Sequence, residues 1–264
     1  MSLWQDFERD CLKYLFDNFN EYASFEAIGG ADSTVSDIKV VTKTNKEFFI
    51  EVKHSPAQCG QFVLIPNDKT QTFEFSNRNA SKLTTATKEI INNMNLNYTK
   101  YKNAGTAGQN IEFENSDKIF AKWIIEYYKS KETKFIITNN YLLFHIKDIL
   151  NYFDIDCQYR IKKSGSSSVG MIHKDSVIKV IDKMKLNNYR YSYNNGNLIV
   201  FTTDNIDKKI VKIESNSYMF SKRSDCYEIR KLSNTKNANV IFTVNLKSNL
   251  SGISNQDFIK ELTQ

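Results

Sequence analysis

Residues 36 to 54 contain two short apolar runs separated by a polar turn, a pattern that restricts the folds open to the chain. The first run centres on Val40, the turn lies near Asn45, and the second run leads from Phe48 into Lys53. Apolar runs of this length joined by a short polar segment are typical of a β-hairpin. We therefore expect two antiparallel strands here, connected near residue 45.

The side chains at the end of this hairpin carry charge on one face. Successive side chains of a strand alternate, so Glu51 and Lys53 share a face while Val52 points to the core. Pairing through the turn also brings Asp37 within a few residues of Glu51 across the ladder. Two carboxylates beside one amine suit a hard cation such as Mg²⁺, which binds carboxylate, carbonyl and water oxygens. The lysine can then orient or help deprotonate a water, or offset charge on a phosphate.

Asp37 followed by Glu51-x-Lys53 at the end of an apolar strand resembles the signature of the PD-(D/E)xK nuclease superfamily, with Ser36 where that family often has proline. The resemblance covers residues 3 to 65 and extends at most to residue 150. It implies a restriction-endonuclease-like α/β fold, a central mixed β-sheet flanked by helices. It further implies that Asp37, Glu51 and the Val52 carbonyl hold Mg²⁺ while Lys53 assists the attacking water. The other interpretation is a surface strand whose charged residues are merely solvated.

Residues 3 to 19 predict an amphipathic helix that carries one acid on its apolar side. Glu8 projects between Leu15 and Phe19, within the apolar arc. A carboxylate buried there needs a cation, a metal or a hydrogen-bond partner. Enzymes of the superfamily often carry a glutamate of the first helix at the metal site, and the resemblance gives that role to Glu8. The alternative is that Glu8 reaches solvent or pairs with a lysine.

Two polar segments are candidates for DNA contact. Gln61 follows Lys53 by a few residues, where some nuclease subfamilies place a glutamine, although a Gly-Gln pair is also common in plain loops. Residues 157 to 168 combine cations and small hydroxyl side chains, as groups that bind phosphate oxygens do. They predict a basic loop, or else a flexible linker between domains. The candidate contacts there are Arg160, Lys162, Lys163, Ser164 and Ser166.

Composition narrows the class of protein. With 41% hydrophobic and 25% charged residues among 264, the chain has the composition of a soluble globular protein. It contains no run of membrane-spanning length and no basic-then-apolar signal at its start, so a cytoplasmic location without a membrane partner is expected. The four cysteines form no C-x-x-C pair and predict reduced, buried thiols. Gly-rich nucleotide-binding loops are absent from the sequence.

Charge is distributed unevenly along the chain. Residues 1 to 150 contain 18 Lys and Arg against 19 Asp and Glu, whereas residues 151 to 264 contain 18 against 11, a net +7. A basic portion is expected where a protein lies along a polyanion, although a generally lysine-rich surface also accounts for it. We expect a catalytic core over residues 1 to 155 and a basic, β-rich DNA-recognition portion over residues 156 to 264.

These observations together predict a type II restriction endonuclease. It would use Mg²⁺ to hydrolyse phosphodiester bonds of double-stranded DNA and, as the resemblance implies, leave a 5′-phosphate and a 3′-hydroxyl. A homodimer is expected if both strands are cut symmetrically. Three alternatives remain open. They are a structure-specific repair nuclease or junction resolvase of the same fold, a non-catalytic DNA-binding protein on a nuclease-like scaffold, and an accidental motif in a protein that binds another anion.

Overall fold

The computed structural model describes the backbone of most of the chain, which forms two compact units. The first unit comprises Met1–Arg160 and Ala238–Gln264, and the second comprises Ile161–Asn237. The second unit is therefore an insertion within the first. Residues 238 to 264 belong to the first unit, whereas the sequence had suggested that they belong with the β-rich portion. The described residues are 3–28, 35–163, 165–170, 174–194, 196–234, 236–248, 250 and 255–264, with only the backbone described at residues 3, 4, 162 and 163.

The first unit contains helices and strands from both ends of the chain. In chain order these are α1 (Leu3–Phe19), β1 (Ala23–Ala27), β2 (Ile38–Thr42), β3 (Glu47–Lys53), β4 (Ala57–Asn67), β5 (Thr72–Phe75), α2 (Thr85–Leu96), α3 (Tyr98–Lys102), β6 (Gln109–Asn110), α4 (Ser116–Lys129), β7 (Thr133–Thr138), β8 (Leu142–His145), α5 (Ile149–Tyr152) and β9 (Phe153–Lys163). After the insertion, β16 (Lys236–Leu246) and α7 (Gln256–Thr263) complete the unit.

The second unit contains mostly antiparallel strands. Its elements in chain order are β10 (Ser166–Ser168), α6 (Lys174–Met184), β11 (Arg190–Asn194), β12 (Asn197–Phe201), β13 (Ile210–Ile213), β14 (Asn216–Lys222) and β15 (Tyr227–Leu232). The strands form one sheet in the order β11-β12-β15-β14-β13, with β10 also paired to β15. Val177, Val180 and Ile181 of α6 are buried and belong to the hydrophobic core of this unit. Strands β11 and β12 pair antiparallel and form a hairpin.

A mixed sheet in the order β1-β2-β3-β7-β8 supports the charged end of the hairpin. On β3, Phe48, Ile50 and Val52 alternate into the core, where α1 contributes Cys11 and Leu15 at a spacing of one helical turn. Burying an apolar side chain of this size stabilises a fold by about 1.5–3 kcal/mol. Because one face of β3 is anchored in this way, the side chains of the other face are held in a fixed register.

The first unit contains a further sheet, in the order β5-β4-β16-β9-β6. The C-terminal segment belongs to the first unit because it supplies strand β16 of this sheet. Strand β16 pairs antiparallel with β4, and its Phe242 ring stacks on Trp123 of α4 with 4.2 Å between ring centroids. The pairing shifts register between Ile241 and Thr243, so the β4 segment around Gly60 forms a bulge. Leu262 and Phe258 of α7 are buried in the same core as β3.

Two local expectations were wrong, and one was confirmed. The segment around Gln61 belongs to β4, and most of the basic segment after Cys157 belongs to β9, where loops had been expected. Both segments are strands because they pair with partners distant in sequence. The four cysteines are confirmed as free and buried. No helix among the described residues is long and apolar enough to cross a membrane.

Candidate active site

The hairpin brings Asp37 and Glu51 together at the point where its strands stop pairing. Ile38 pairs with Ile50, so Asp37 directly precedes β2 and Glu51 lies next along β3. The Asp37 Oδ2 atom accepts a hydrogen bond from the Val52 backbone N–H at 2.7 Å. The register predicted from the sequence is therefore confirmed, and it places both carboxyl groups at one end of the sheet.

Glu51 is a buried carboxylate whose two oxygens have different surroundings. Its Oε1 atom lies 2.7 Å from Nζ of Lys53, which projects from the same face of β3. The hydroxyl of Tyr128 donates to the same Oε1 at 3.2 Å. The Oε2 atom is buried and has no hydrogen-bond partner among the described residues. A buried oxygen left in that state is costly, and a cation would satisfy it.

The electrostatics of this cluster follow from its burial and its like charges. Burial first, and then the nearby Glu51 carboxylate, raise the pKa of Asp37 above its usual range. Burial lowers the pKa of Lys53, but the carboxylates of Glu51 and Asp37 and the Cys59 thiol outweigh it, so the net shift is upward. The lysine is accordingly held as an ammonium ion, while Asp37 is an acid that a bound cation would ionise.

The Val52 carbonyl completes a set of three oxygen donors. In a strand the N–H and C=O of one residue point to the same side. The Val52 N–H points to Asp37, so the Val52 carbonyl also faces the Asp37 side of β3. Asp37, Glu51 and Val52 together offer the oxygen ligands that Mg²⁺ prefers. The unpaired Oε2 of Glu51 is the observation in favour of a cation at this point.

Glu8 lies at the edge of this cluster. It is half-buried on α1 and lines a cavity with Asp37 and Ile38. Burial raises the pKa of Glu8, the Lys53 ammonium lowers it, and the Glu51 carboxylate raises it, so all three groups interact. Within the described ranges, no three His, Cys, Asp or Glu side chains are close enough to bind one metal ion together. Asp32, an acid that precedes Asp37 by five residues, lies outside the described residues.

The cluster opens into a cleft of about 390 Å³ within the first unit. Gln61 is exposed on β4, lines this cleft, and accepts a hydrogen bond from the Gln58 side chain at 3.3 Å. The structure thus brings Gln61 to the same cleft as Asp37, Glu51 and Lys53, from a strand where a loop had been expected.

The cleft residues that sequence reasoning missed include Arg78, Tyr128 and Lys131. Tyr128 follows Ile124 by four positions on α4, a spacing that indicates burial but not the contact with Glu51. The Lys131 ammonium lies 4.5 Å from the centre of the Tyr127 ring, at a cation–π distance. Arg78 lies between β5 and α2, where no periodic pattern marks it.

The basic segment of the sequence is only partly described. Arg160 is half-buried on β9, and its Nε atom has no hydrogen-bond partner among the described residues. Lys162 and Lys163 belong to the same strand, but their side chains, like the whole of Ser164, lie outside the described part of the chain. Ser166 begins β10, and its Oγ atom accepts a hydrogen bond from Arg230 at 2.7 Å.

Two arginines of the second unit bind a buried acid. Arg223 and Arg230 both pair with Glu228, whose side chain is 8% exposed. The Ser168 hydroxyl also donates to Glu228 at 2.6 Å. Burial raises the pKa of Glu228, but these hydrogen bonds and charges lower it more. Arg230 also bonds Ser166 and Ser168, so it joins β15 to β10, while Arg223 adds a second cation to Glu228.

Comparison with solved structures identifies the class of this protein as endonuclease. The chain is similar to the HhaI endonuclease in complex with DNA, with 35% sequence identity, a TM-score of 0.85 and coverage of 100% of both chains. No protein-family model matches the chain, and no curated protein matches it significantly. The chain belongs to the family of the HhaI endonuclease. The predicted α/β fold class and endonuclease activity are confirmed.

Proposed function

We propose that this protein is a type II restriction endonuclease that hydrolyses phosphodiester bonds at specific sites in double-stranded DNA. The DNA substrate is inferred from the similar HhaI endonuclease, which is in complex with DNA. The observation that carries the active-site assignment is the cluster of Asp37, Glu51 and Lys53 at the end of β3, in which Glu51 Oε2 has no partner. This assignment corresponds to the PD-(D/E)xK arrangement.

The proposed cofactor is Mg²⁺, held by Asp37, Glu51 and the Val52 carbonyl. When bound, such an ion polarises a phosphoryl oxygen and lowers the pKa of water. Asp37 keeps its orientation through the hydrogen bond that its Oδ2 atom accepts from the Val52 N–H. Glu8, at the edge of the cluster, is proposed to orient a ligand or a second cation.

Lys53 is proposed to orient the attacking water and to offset the negative charge that builds up on the phosphate. Its raised pKa keeps the amine protonated at neutral pH, so it acts as a donor and a charge and does not take the proton of the water. In-line attack would leave a 5′-phosphate and a 3′-hydroxyl.

The proposed DNA contacts fall in two groups. Gln61, Arg78 and Lys131 line the cleft and are proposed to bind phosphates beside the scissile bond. The second unit, with 15 Lys and Arg against 7 Asp and Glu, is proposed to recognise the target. Arg160, Lys162, Lys163, Ser164 and Ser166 are the candidates near its start.

The test is incubation of the protein with long duplex DNA and Mg²⁺, beside Asp37→Asn, Glu51→Gln, Lys53→Ala and an EDTA control. Glu47→Gln is the matched control, because Glu47 is also on β3 but pairs with Lys39 away from the cleft. We expect discrete fragments from the parent and Glu47→Gln only, with activity of the other variants reduced at least about 100-fold. Intact DNA in every lane, or cutting only at branched substrates, would contradict the restriction assignment.

The homodimer expected from the sequence remains a prediction. Symmetric cutting of both strands in one event needs two active centres related by a two-fold axis. Sedimentation of the protein with a short duplex containing one cleavage site measures this directly. A complex with two chains per duplex agrees with the prediction, and one chain per duplex contradicts it.

A further inference from the structure

Helix α4 supplies one of the two groups that hold the Oε1 atom of Glu51. Lys53 lies two residues away on β3, but Tyr128 reaches Oε1 from helix α4 at 3.2 Å. Tyr128 is 1% exposed, so it is buried although it borders the cleft. A glutamate carboxylate rotates easily about its last bond, which allows its two oxygens to exchange places. A donor fixed on a second element removes that freedom.

The direction of each hydrogen bond follows from the protons available. The carboxylate of Glu51 can only accept, so the Tyr128 hydroxyl must donate to it. The oxygen of that hydroxyl is then free to accept, and the Cys59 Sγ atom lies 3.5 Å away as the donor. Cys59 and Tyr128 therefore form a buried chain of donors that ends on Oε1. Among the described residues, Oε1 has two donors and Oε2 has none.

We propose that Tyr128 is a positioning residue that fixes the Glu51 carboxylate so that Oε2 is the oxygen presented to the divalent cation. The inference rests on the proposed role of Glu51 as a metal ligand. Tyr128 touches neither the cation nor the DNA in this arrangement, and it acts only through Glu51. Lys53 does not replace it, because the same ammonium is also proposed to act on the phosphate.

Tyr128→Phe tests the proposal, because it keeps the buried ring and removes only the donor. Calorimetric titration with Mn²⁺ in the absence of DNA should show an affinity about 10-fold lower than that of the parent, as for other outer-shell partners of metal ligands. The Mg²⁺ concentration for half-maximal cleavage should rise by a similar factor. The cleavage rate at saturating Mg²⁺ should return toward the parent value, which a general loss of structure would not allow.

Tyr101→Phe is the matched control for the loss of a buried hydroxyl. Tyr101 is also 1% exposed and belongs to the same unit, but its hydroxyl donates to the Asn110 carbonyl at 3.4 Å. We expect Tyr101→Phe to bind Mn²⁺ like the parent. Equal weakening in both variants would overturn the proposal, since the effect would then come from any lost buried hydroxyl.

Glu51→Gln separates this inference from the proposed active site. If Glu51→Gln binds Mn²⁺ like the parent, the metal-site assignment is wrong and the role of Tyr128 falls with it. If Glu51→Gln loses Mn²⁺ binding but Tyr128→Phe titrates like the parent, only the Tyr128 inference is overturned. A crystal of the parent with Mn²⁺ needs no variant, because anomalous scattering locates the ion. An ion closer to Oε1 than to Oε2 of Glu51 would also overturn the proposal.

Discussion

Asp37 and Glu51 are two carboxyl groups at one strand end, and the fold gives them different partners. Within the part of the chain that the structure describes, Glu51 receives an ammonium and a hydroxyl on one oxygen, whereas Asp37 receives one backbone N–H. Burial and the neighbouring Glu51 charge then make ionisation of Asp37 unfavourable, with a pKa of about 7. The electrostatic free energy of such a site is least favourable when both carboxyl groups are ionised and no cation is bound, so a bound cation stabilises the ionised form.

Replacing Asp37 by Asn should stabilise the metal-free protein at high pH. The folded state keeps the Asp37 proton to a higher pH than the unfolded chain does, so ionisation lowers the free energy of unfolding between pH 4 and about 7. Asn cannot ionise, and Asp37→Asn should exceed the parent by about 1–3 kcal/mol at pH 8 and equal it near pH 4. Urea denaturation with EDTA at both pH values measures the difference.

Asp154→Asn is the control for that experiment, because the Asp154 side chain is 73% exposed. It should unfold like the parent at both pH values. A parent that is as stable as Asp37→Asn at pH 8 would show that ionisation of Asp37 carries no folding cost.

At the scale of elements, the bulge in β4 shapes one wall of the cleft. Gly60 has a backbone φ of +105°, a region that L side chains rarely adopt. A Cβ atom there would lie 2.8 Å from the Trp123 ring of α4. The ring cannot retreat, because its other neighbours include Phe62 and Phe242. The glycine therefore allows strand and helix to approach closely beneath the cleft.

Gly60→Ala should destabilise the protein by about 2–4 kcal/mol, because it adds both backbone strain and an overlap with Trp123. Gly105→Ala separates the two effects. Gly105 also has a positive φ, +61°, but a Cβ atom there would meet nothing within 4 Å. Gly105→Ala should lower the free energy of unfolding by only about 1 kcal/mol, because it adds backbone strain without an overlap. Thermal unfolding of the two variants makes the comparison, and equal losses would contradict the contact with Trp123.

Local sequence signals predicted the elements that depend on local pairing. The β2–β3 hairpin was predictable because its alternation, its turn and its register all lie within 18 residues, from Asp37 to His54. Strand β4 was not, because its partner β16 comes more than 170 residues later. The same reason hid β9. The contact of Tyr128 with Glu51 was not predictable either, because helical spacing indicates which face of a helix is buried and not which atoms that face contacts.

For the whole molecule, the insertion concentrates positive charge more than the two halves of the sequence suggested. The second unit has a net charge of +8, from 15 basic against 7 acidic residues, and the first unit has −2, from 21 against 23. If DNA binds at the cleft, as proposed, the acidic first unit has to attract it there through local cations. The second unit can supply long-range attraction, which depends strongly on salt.

DNA affinity should therefore fall steeply as salt concentration rises. Lys131→Ala should reduce the slope of log affinity against log salt by about one, as expected for one lost phosphate contact. Lys129→Ala is the matched control, since Lys129 is exposed near the same end of α4 but does not line the cleft. Fluorescence anisotropy with a short duplex and EDTA gives both slopes. Identical slopes for the two variants would remove Lys131 from the proposed interface.

The chain leaves the first unit along β9 and returns along β16, and these two strands are neighbours in one sheet. A segment that is entered and left at adjacent strands can lengthen, shorten or be exchanged during evolution without rethreading the surrounding core. If the second unit recognises the target, as proposed, relatives with different target sequences can share one hydrolytic centre and differ in the inserted segment alone. The ends of β9 and β16 are therefore also the points at which the second unit can be exchanged for another in an engineered protein.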